Sequence, residues 1–251
     1  FHAIDNLRDH DNNNVMARSE KKKPLIMKQK PMLLMVYVLI PLVAASVYFF
    51  GWRSLLVLAV VNIAGFVAEY LFVRSSGKPV SSAVFVTNFL FALSLPPTIP
   101  LWIAVVGIVF GVVFGKMVFG GFGMNIFNPA LSGRAFVYIS FVVPMTGSWV
   151  QPFDGIAGGL TSFQADVVTK ATPLVTMTQE ETVPLLDLFL GNTAGSLGET
   201  AAFLIIISGL ILMIRKVANF RIVVSGLIGF LVFQSIFWFA GTAGAVDPLR
   251  A

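Results

Sequence analysis

Seven apolar runs, at about 32–50, 54–73, 83–99, 101–119, 134–148, 200–214 and 222–240, succeed one another along the chain's 251 residues. A helix that crosses the hydrocarbon core of a bilayer needs about 20 such residues, with a range of about 17–25. A chain built from these runs has lipid as its main solvent. The stretch 83–119 is interrupted by Pro96-Pro97 and Pro100, which remove backbone donors and turn the preceding residues away from helix, so it divides into two segments. Broken helices at membrane depth face a cavity, a cofactor or other protein. The expected fold is all-α: a polytopic transmembrane helical bundle of about seven apolar segments with Pro-broken helices.

Composition agrees: 57% of residues are hydrophobic and only 12% charged, against about 25% charged in an average soluble domain. There is no cysteine, which excludes disulfides and cysteine-ligated zinc or iron–sulfur centres within the chain. Both histidines, His2 and His10, lie in a polar N-terminal arm, so neither opposed haem ligands nor a histidine-based nucleophilic triad is supported, and no metal site is expected. The arm, residues 1–31, shows no helical or strand period and is read as a largely disordered cytoplasmic segment preceding a transmembrane domain at 32–251. It is not a secretory signal, because the next apolar run has full membrane length and no small-residue cleavage site.

Charge gives the orientation. With the arm in the cytoplasm, seven arm charges plus Arg74, Lys78, Lys116, Arg134, Arg215, Lys216 and Arg221 fall inside, fourteen in all, while Arg53, Lys170 and Arg250 fall outside. That is the positive-inside pattern. It also accounts for the isoelectric point near 9.6 without nucleic acid, since basic residues at cytoplasmic loops meet anionic lipid head groups. The long loop at 149–199 is then external, and it holds six acids against the single Lys170.

Within this frame four places could carry chemistry. In the outer loop, Asp166-Val-Val-Thr-Lys-Ala-Thr172-Pro is a turn rich in hydroxyls, and Thr172 taken alone is a solvated loop residue. The segment Phe119-Gly-Gly-Phe-Gly-Met-Asn-Ile-Phe-Asn-Pro129 combines glycines at 120, 121 and 123 with Asn125 and Asn128; it suits an uncharged heterocycle, or a tight turn with capping asparagines. No strand precedes it, and the spacing is not that of a dinucleotide fingerprint. Glu69, in Gly65-Phe-Val-Ala-Glu69, is an acid inside an apolar span: a cation-path residue, or one that snorkels to the interface beside Arg74. Lys116 is similarly ambiguous, either meeting an anion or carbonyl partner or snorkelling to the interface, with snorkelling preferred. Asn62, Thr87 and Asn88 suit hydrogen bonds between packed helices.

Together the strings Val86-Thr-Asn-Phe-Leu-Phe-Ala-Leu-Ser-Leu-Pro-Pro-Thr-Ile-Pro-Leu-Trp102, Lys116-Met-Val-Phe-Gly-Gly-Phe-Gly-Met-Asn-Ile-Phe-Asn-Pro-Ala130 and Leu188-Phe-Leu-Gly-Asn-Thr-Ala-Gly-Ser-Leu-Gly-Glu199 resemble the RnfD/NqrB family over roughly residues 30–240. These are membrane subunits of the Rnf ferredoxin:NAD⁺ oxidoreductase and of the Na⁺-translocating NADH:quinone oxidoreductase. The short connection Gly51-Trp52-Arg53 and the Pro-Leu after Thr172 favour the RnfD branch, while Ala130-Leu-Ser-Gly-Arg-Ala-Phe136 looks closer to NqrB.

The resemblance implies flavin mononucleotide (FMN) bound through a phosphoester to Thr172, within a motif that Asp166, Thr169 and Ala171 also match, and attached by a flavin transferase outside the membrane. Lys170 stands where the family often has glycine. It further implies an ion or quinone path at Glu69 and Gly65, and either a second flavin such as riboflavin or a structural turn at Asn125 and Asn128. The implied role is electron transfer coupled to Na⁺ or H⁺ export, with the other Rnf or Nqr subunits as partners, in a bacterial or archaeal cytoplasmic (inner) membrane. Family members continue through about three further spans and are built as two related halves, of which this chain would hold one and part of the second. The alternatives from other classes are a substrate or ion transporter and a non-redox membrane scaffold.

Overall fold

The computed structural model describes residues 24–147, 149–153, 158–164 and 184–241. Thr172, Asp166, Thr169 and Ala171 lie outside the described residues.

The first two long helices form a hairpin. Helix α1 (Lys30–Phe50) starts with Pro31 in its first turn, where the missing N–H costs nothing, and α2 (Arg53–Ser75) follows after a two-residue corner. Gly51 at that corner has φ +85°, and a Cβ there would lie 2.7 Å from the Ser162 carbonyl oxygen. Only glycine fits both conditions. Pro41 sits inside α1, where its ring deprives carbonyls one turn earlier of their donors. The hydroxyl of Ser208, 170 residues further along the chain, donates to the Val38 carbonyl oxygen at 3.2 Å, close to the proline.

Helix α3 (Ala83–Leu93) has 11 residues, so at about 1.5 Å per residue it reaches roughly half of a ~30 Å hydrocarbon core. The chain then runs non-helically through Pro96, Pro97 and Pro100 into α4 (Leu101–Val112), which continues as a π turn over Val113–Met117. The split expected at the prolines is present. Non-helical backbone at this depth is tolerable only where its polar groups are satisfied, and here they are. Leu93 and Leu95 carbonyls accept from the Gly198 and Leu197 amides at 2.8 and 3.1 Å, and the Arg53 guanidinium donates to the Thr98 and Ile99 carbonyls.

Helix α5 (Pro129–Ser140) is capped by Asn128, whose side chain accepts from the Ala130 amide at 3.0 Å. It begins five residues before the apolar run at 134–148, because the Asn-Pro pair supplies both a cap and a helix-ready φ. The run is also broken at Phe141 (φ −131°, ψ 58°), after which α6 occupies only Val142–Thr146. Three glycines of α4 and its π turn face α5. A Cβ at Gly107 would meet Val137 at 2.3 Å, one at Gly111 the Pro129 carbonyl at 2.4 Å, and one at Gly115 the Pro129 Cα at 2.9 Å. Small residues one turn apart bring two backbones into contact, as in membrane helix pairs.

The segment after α6 holds a 3₁₀ turn (Gly158–Thr161) and helix α7 (Leu185–Leu190), followed by α8 (Ala202–Ile214) and α9 (Phe220–Phe239). The chain is mostly helical, and α1, α2 and α9 are each long and apolar enough to cross a membrane. The core lies among α1 to α5, around Val57, Val61, Phe91, Ile103 and Ile108. By contrast, α9 has no buried residue among those described, and α8 has one, Ser208.

Two details depart from the sequence reading. A small parallel pair joins β1 (Ile26–Met27) to β2 (Val80–Ser81), the one sheet among the described residues of an otherwise helical fold. The arm boundary at residue 31 also falls inside structure, since α1 begins at Lys30 and the Gln29 amide donates to Ser82 Oγ at 3.0 Å. Ser82 and β2 supply partners 53 residues away, which no local period could reveal.

Candidate functional site

At the end of α2, opposite the Gly51 corner, Glu69 is 1% exposed and Lys116 is 2% exposed. Lys116 Nζ lies 2.6 Å from Glu69 Oε2, and the Ser81 amide donates to Oε1 at 3.1 Å. Both carboxylate oxygens are thus engaged. Glu69 does not snorkel toward Arg74, which is exposed on the same helix, and Lys116 does not snorkel to the interface. The preference for an interfacial Lys116 is therefore corrected. The cause is the π turn, whose extra residue per turn rotates Lys116 off the regular helical path and toward α2. Each charge would be costly in this apolar interior, and each neutralises the other.

The carboxylate also borders a cavity of about 590 Å³, whose walls include Phe72, Ser81, Met117, Gly120 and Gly121, with Lys78 at its rim. Lys116 is not among the residues that line it. The acid thus borders the cavity as well as meeting the ammonium.

Gly65, one turn before Glu69, is a packing residue here. A Cβ at this position would lie 2.1 Å from Asn88 Oδ1, so the glycine admits the Asn88 side chain against α2. Asn88 is fully buried and its Nδ2 donates to the Asn62 carbonyl at 3.3 Å, while Thr87 Oγ1 donates to the Ala83 carbonyl at 3.2 Å. The expected packing role of these polar residues is what the structure displays.

Gly120, Gly121 and Gly123 have φ values of +108°, +96° and +82°, and this turn leads from the π turn to α5. Asn125 is exposed and donates to the Phe127 carbonyl at 3.0 Å, and Asn128 caps α5. Each asparagine thus has a local partner. Sequence reasoning missed the α4–α5 glycine stripe and the Glu69–Lys116 pairing. The first had a signal, the four-residue spacing of Gly107, Gly111 and Gly115; the second had none, because its partners are 47 residues apart.

At the other end of the bundle, the α1–α2 corner holds residues 160–164. The Trp52 and Arg53 amides donate to the Ser162 and Phe163 carbonyls, Trp52 Nε1 to the Leu160 carbonyl, and the Arg53 guanidinium to Gln164 Oε1 at 2.7 Å. Residues 197 and 198 are tied to α3 at the same end. There Glu199 pairs with Arg134 at 2.6 Å and also accepts from Ser196 Oγ, so Arg134, counted with the cytoplasmic charges in the sequence reading, is corrected: it sits with the segment at 197–199.

A multi-pass helical bundle with a half-length helix, a proline-broken connection and a charge pair buried beside a cavity defines a class: an integral membrane protein with polar machinery inside its span. The chain belongs to the NQR2, RnfD, RnfE family, whose model matches residues 22–250. It is 37% identical over 212 residues to a Na⁺-translocating NADH-quinone reductase subunit of Yersinia pestis, covering 80% of this chain and 50% of that protein. The corresponding subunits of the reductases of Ectopseudomonas mendocina (strain ymp) and Azotobacter vinelandii (strain DJ / ATCC BAA-1303) are 43% and 40% identical, over 70% and 73% of this chain and 42% and 45% of theirs. The chain spans about half the length of the curated relatives it matches.

Proposed function

We propose that this chain is a membrane subunit of an ion-translocating electron-transport complex, coupling electron flow to Na⁺ or H⁺ export. The observation that carries the reading is the buried Glu69–Lys116 pair beside a cavity, in a chain whose relatives are named for Na⁺-translocating quinone reduction. A scaffold has no need of two desolvated charges. The relatives' names favour the quinone-reducing branch over the ferredoxin branch that the short α1–α2 connection suggests. The other subunits of such a complex are its partners, and the chain alone does not complete a catalytic cycle.

Covalent FMN on Thr172 belongs to the same proposal. The flavin supplies one- and two-electron redox chemistry when attached. Two features of the structure fit it: Trp52 and Arg53 hold residues 160–164, and the Leu93 and Leu95 carbonyls hold residues 197–198, so the stretch between leaves and returns at the bundle end away from Glu69. Arg74, Lys78, Lys116 and the basic arm lie toward the opposite end, against Arg53 and Arg134 at this one, a bias that supports reading this end as external, where a flavin transferase can reach Thr172. Lys170, two residues away, supplies a charge for the flavin phosphate. Asn125 and Asn128 remain available for a second flavin such as riboflavin only at the surface of their turn.

The test is in-gel flavin fluorescence after denaturing electrophoresis, with the chain coexpressed with a flavin transferase. A fluorescent wild-type band that disappears in Thr172→Val supports the reading. A dark wild type beside a fluorescent control substrate removes covalent FMN from it.

A further inference from the structure

We propose that Lys116 is an internal countercation that occupies the cation position of Glu69, so that an entering monovalent cation must compete with the Lys116 ammonium for the carboxylate. The inference rests on the reading of Glu69 as an ion-path acid and adds the element that sets its affinity.

Three observations carry it. The Nζ–Oε2 separation of 2.6 Å leaves no room for an ion between the two groups, so the ammonium stands where a cation would bind. Oε1 already accepts from the Ser81 amide, so the carboxylate is held in place when the ammonium leaves. The cavity is lined by Glu69 and not by Lys116, which gives an ion an approach to the acid that does not pass through the lysine. Glu69 offers one negative charge, so a monovalent ion neutralises it as the ammonium does once the displaced Lys116 releases its proton, which leaves no net charge in the apolar interior, whereas a divalent ion would leave one. The π turn explains how the lysine can yield: such turns are local insertions in a helix and recur at functional sites. Lys116 is thus a positioning residue, acting through Glu69.

The experiment uses the full chain purified in detergent, with NaCl exchanged for choline chloride at constant ionic strength. Thermal unfolding is followed, and the readout is the Na⁺ concentration giving half of the maximal stabilisation. Lys116→Gln lowers that concentration by about tenfold or more, because a buried charge that loses its partner seeks another. Lys116→Arg raises it, because a guanidinium grips a carboxylate with two parallel hydrogen bonds. Lys78→Gln removes a positive charge from the cavity rim without touching Glu69, and its effect stays within about twofold.

If Lys116→Gln responds at the wild-type concentration, or Lys78→Gln shifts as far as Lys116→Gln, the countercation proposal falls while the ion site stands. Should Lys116→Gln fail to fold, a wild-type or lower concentration in Lys116→Arg overturns the proposal by itself. If Glu69→Gln keeps the wild-type Na⁺ response, or neither wild type nor Lys116→Gln responds, the underlying reading of Glu69 falls as well.

Discussion

Gly65 and Asn88 show how a residue near a functional acid can matter without touching a ligand. Gly65→Ala places a methyl 2.1 Å from Asn88 Oδ1, so the fully buried Asn88 side chain must move to admit it. Overpacking of this kind costs about 1–3 kcal/mol. We expect a lower thermal midpoint in detergent for Gly65→Ala, and recovery in Gly65→Ala/Asn88→Ala, where the clashing carboxamide is gone. A double variant as unstable as the single one would mean that the glycine serves something other than Asn88. The sequence made Glu69 legible as an expensive acid and Lys116 as an ambiguous cation. It could not show that they pair, since 47 residues separate them and a π turn sets the lysine's direction. Thr172 is the reverse case: a loop hydroxyl with no physical signature, meaningful only through a family motif.

At the scale of elements, proline and glycine decided where helices stop and how closely they approach. The break at Pro96–Pro100 was readable because proline acts on its own backbone. The start of α5 at Pro129 was less so, because its cap lies outside the apolar run at 134–148. The short β1–β2 pair was unreadable, since two residues per strand carry no period. The α4–α5 contact supplies an internal contrast. Gly111→Ala puts a Cβ 2.4 Å from the Pro129 carbonyl, while a Cβ at Gly229 on α9 meets nothing within 4 Å. In thermal melts Gly111→Ala should lose about 1–3 kcal/mol and Gly229→Ala nothing measurable. Ser208→Ala should fall between them at about 1 kcal/mol, through loss of its hydrogen bond to the Val38 carbonyl beside Pro41. If Ser208→Ala matches wild type, the kinked helix satisfies that carbonyl without α8.

For the whole molecule, the decisive quantity is sidedness, because an external Thr172 and an ion-path acid at the opposite end have meaning only relative to the membrane. Charge bias assigns the Arg74–Lys78 end to the cytoplasm. The structure adds that residues 160–164 are tied to the α1–α2 corner, at the far end of α2 from Glu69. The two facts are independent, since one counts charges and the other follows hydrogen bonds. They require Thr161 and Ser76, both exposed, to face opposite compartments. These 251 residues contain no cysteine, so one introduced thiol is unique among them. In intact right-side-out cells, Thr161→Cys should react with a membrane-impermeant maleimide, and Ser76→Cys should react only after permeabilisation. Reversed labelling would invert the topology and put Thr172 out of reach of an external transferase. Labelling of both from outside would mean that α2 does not cross the membrane, and the ion path would lose its frame.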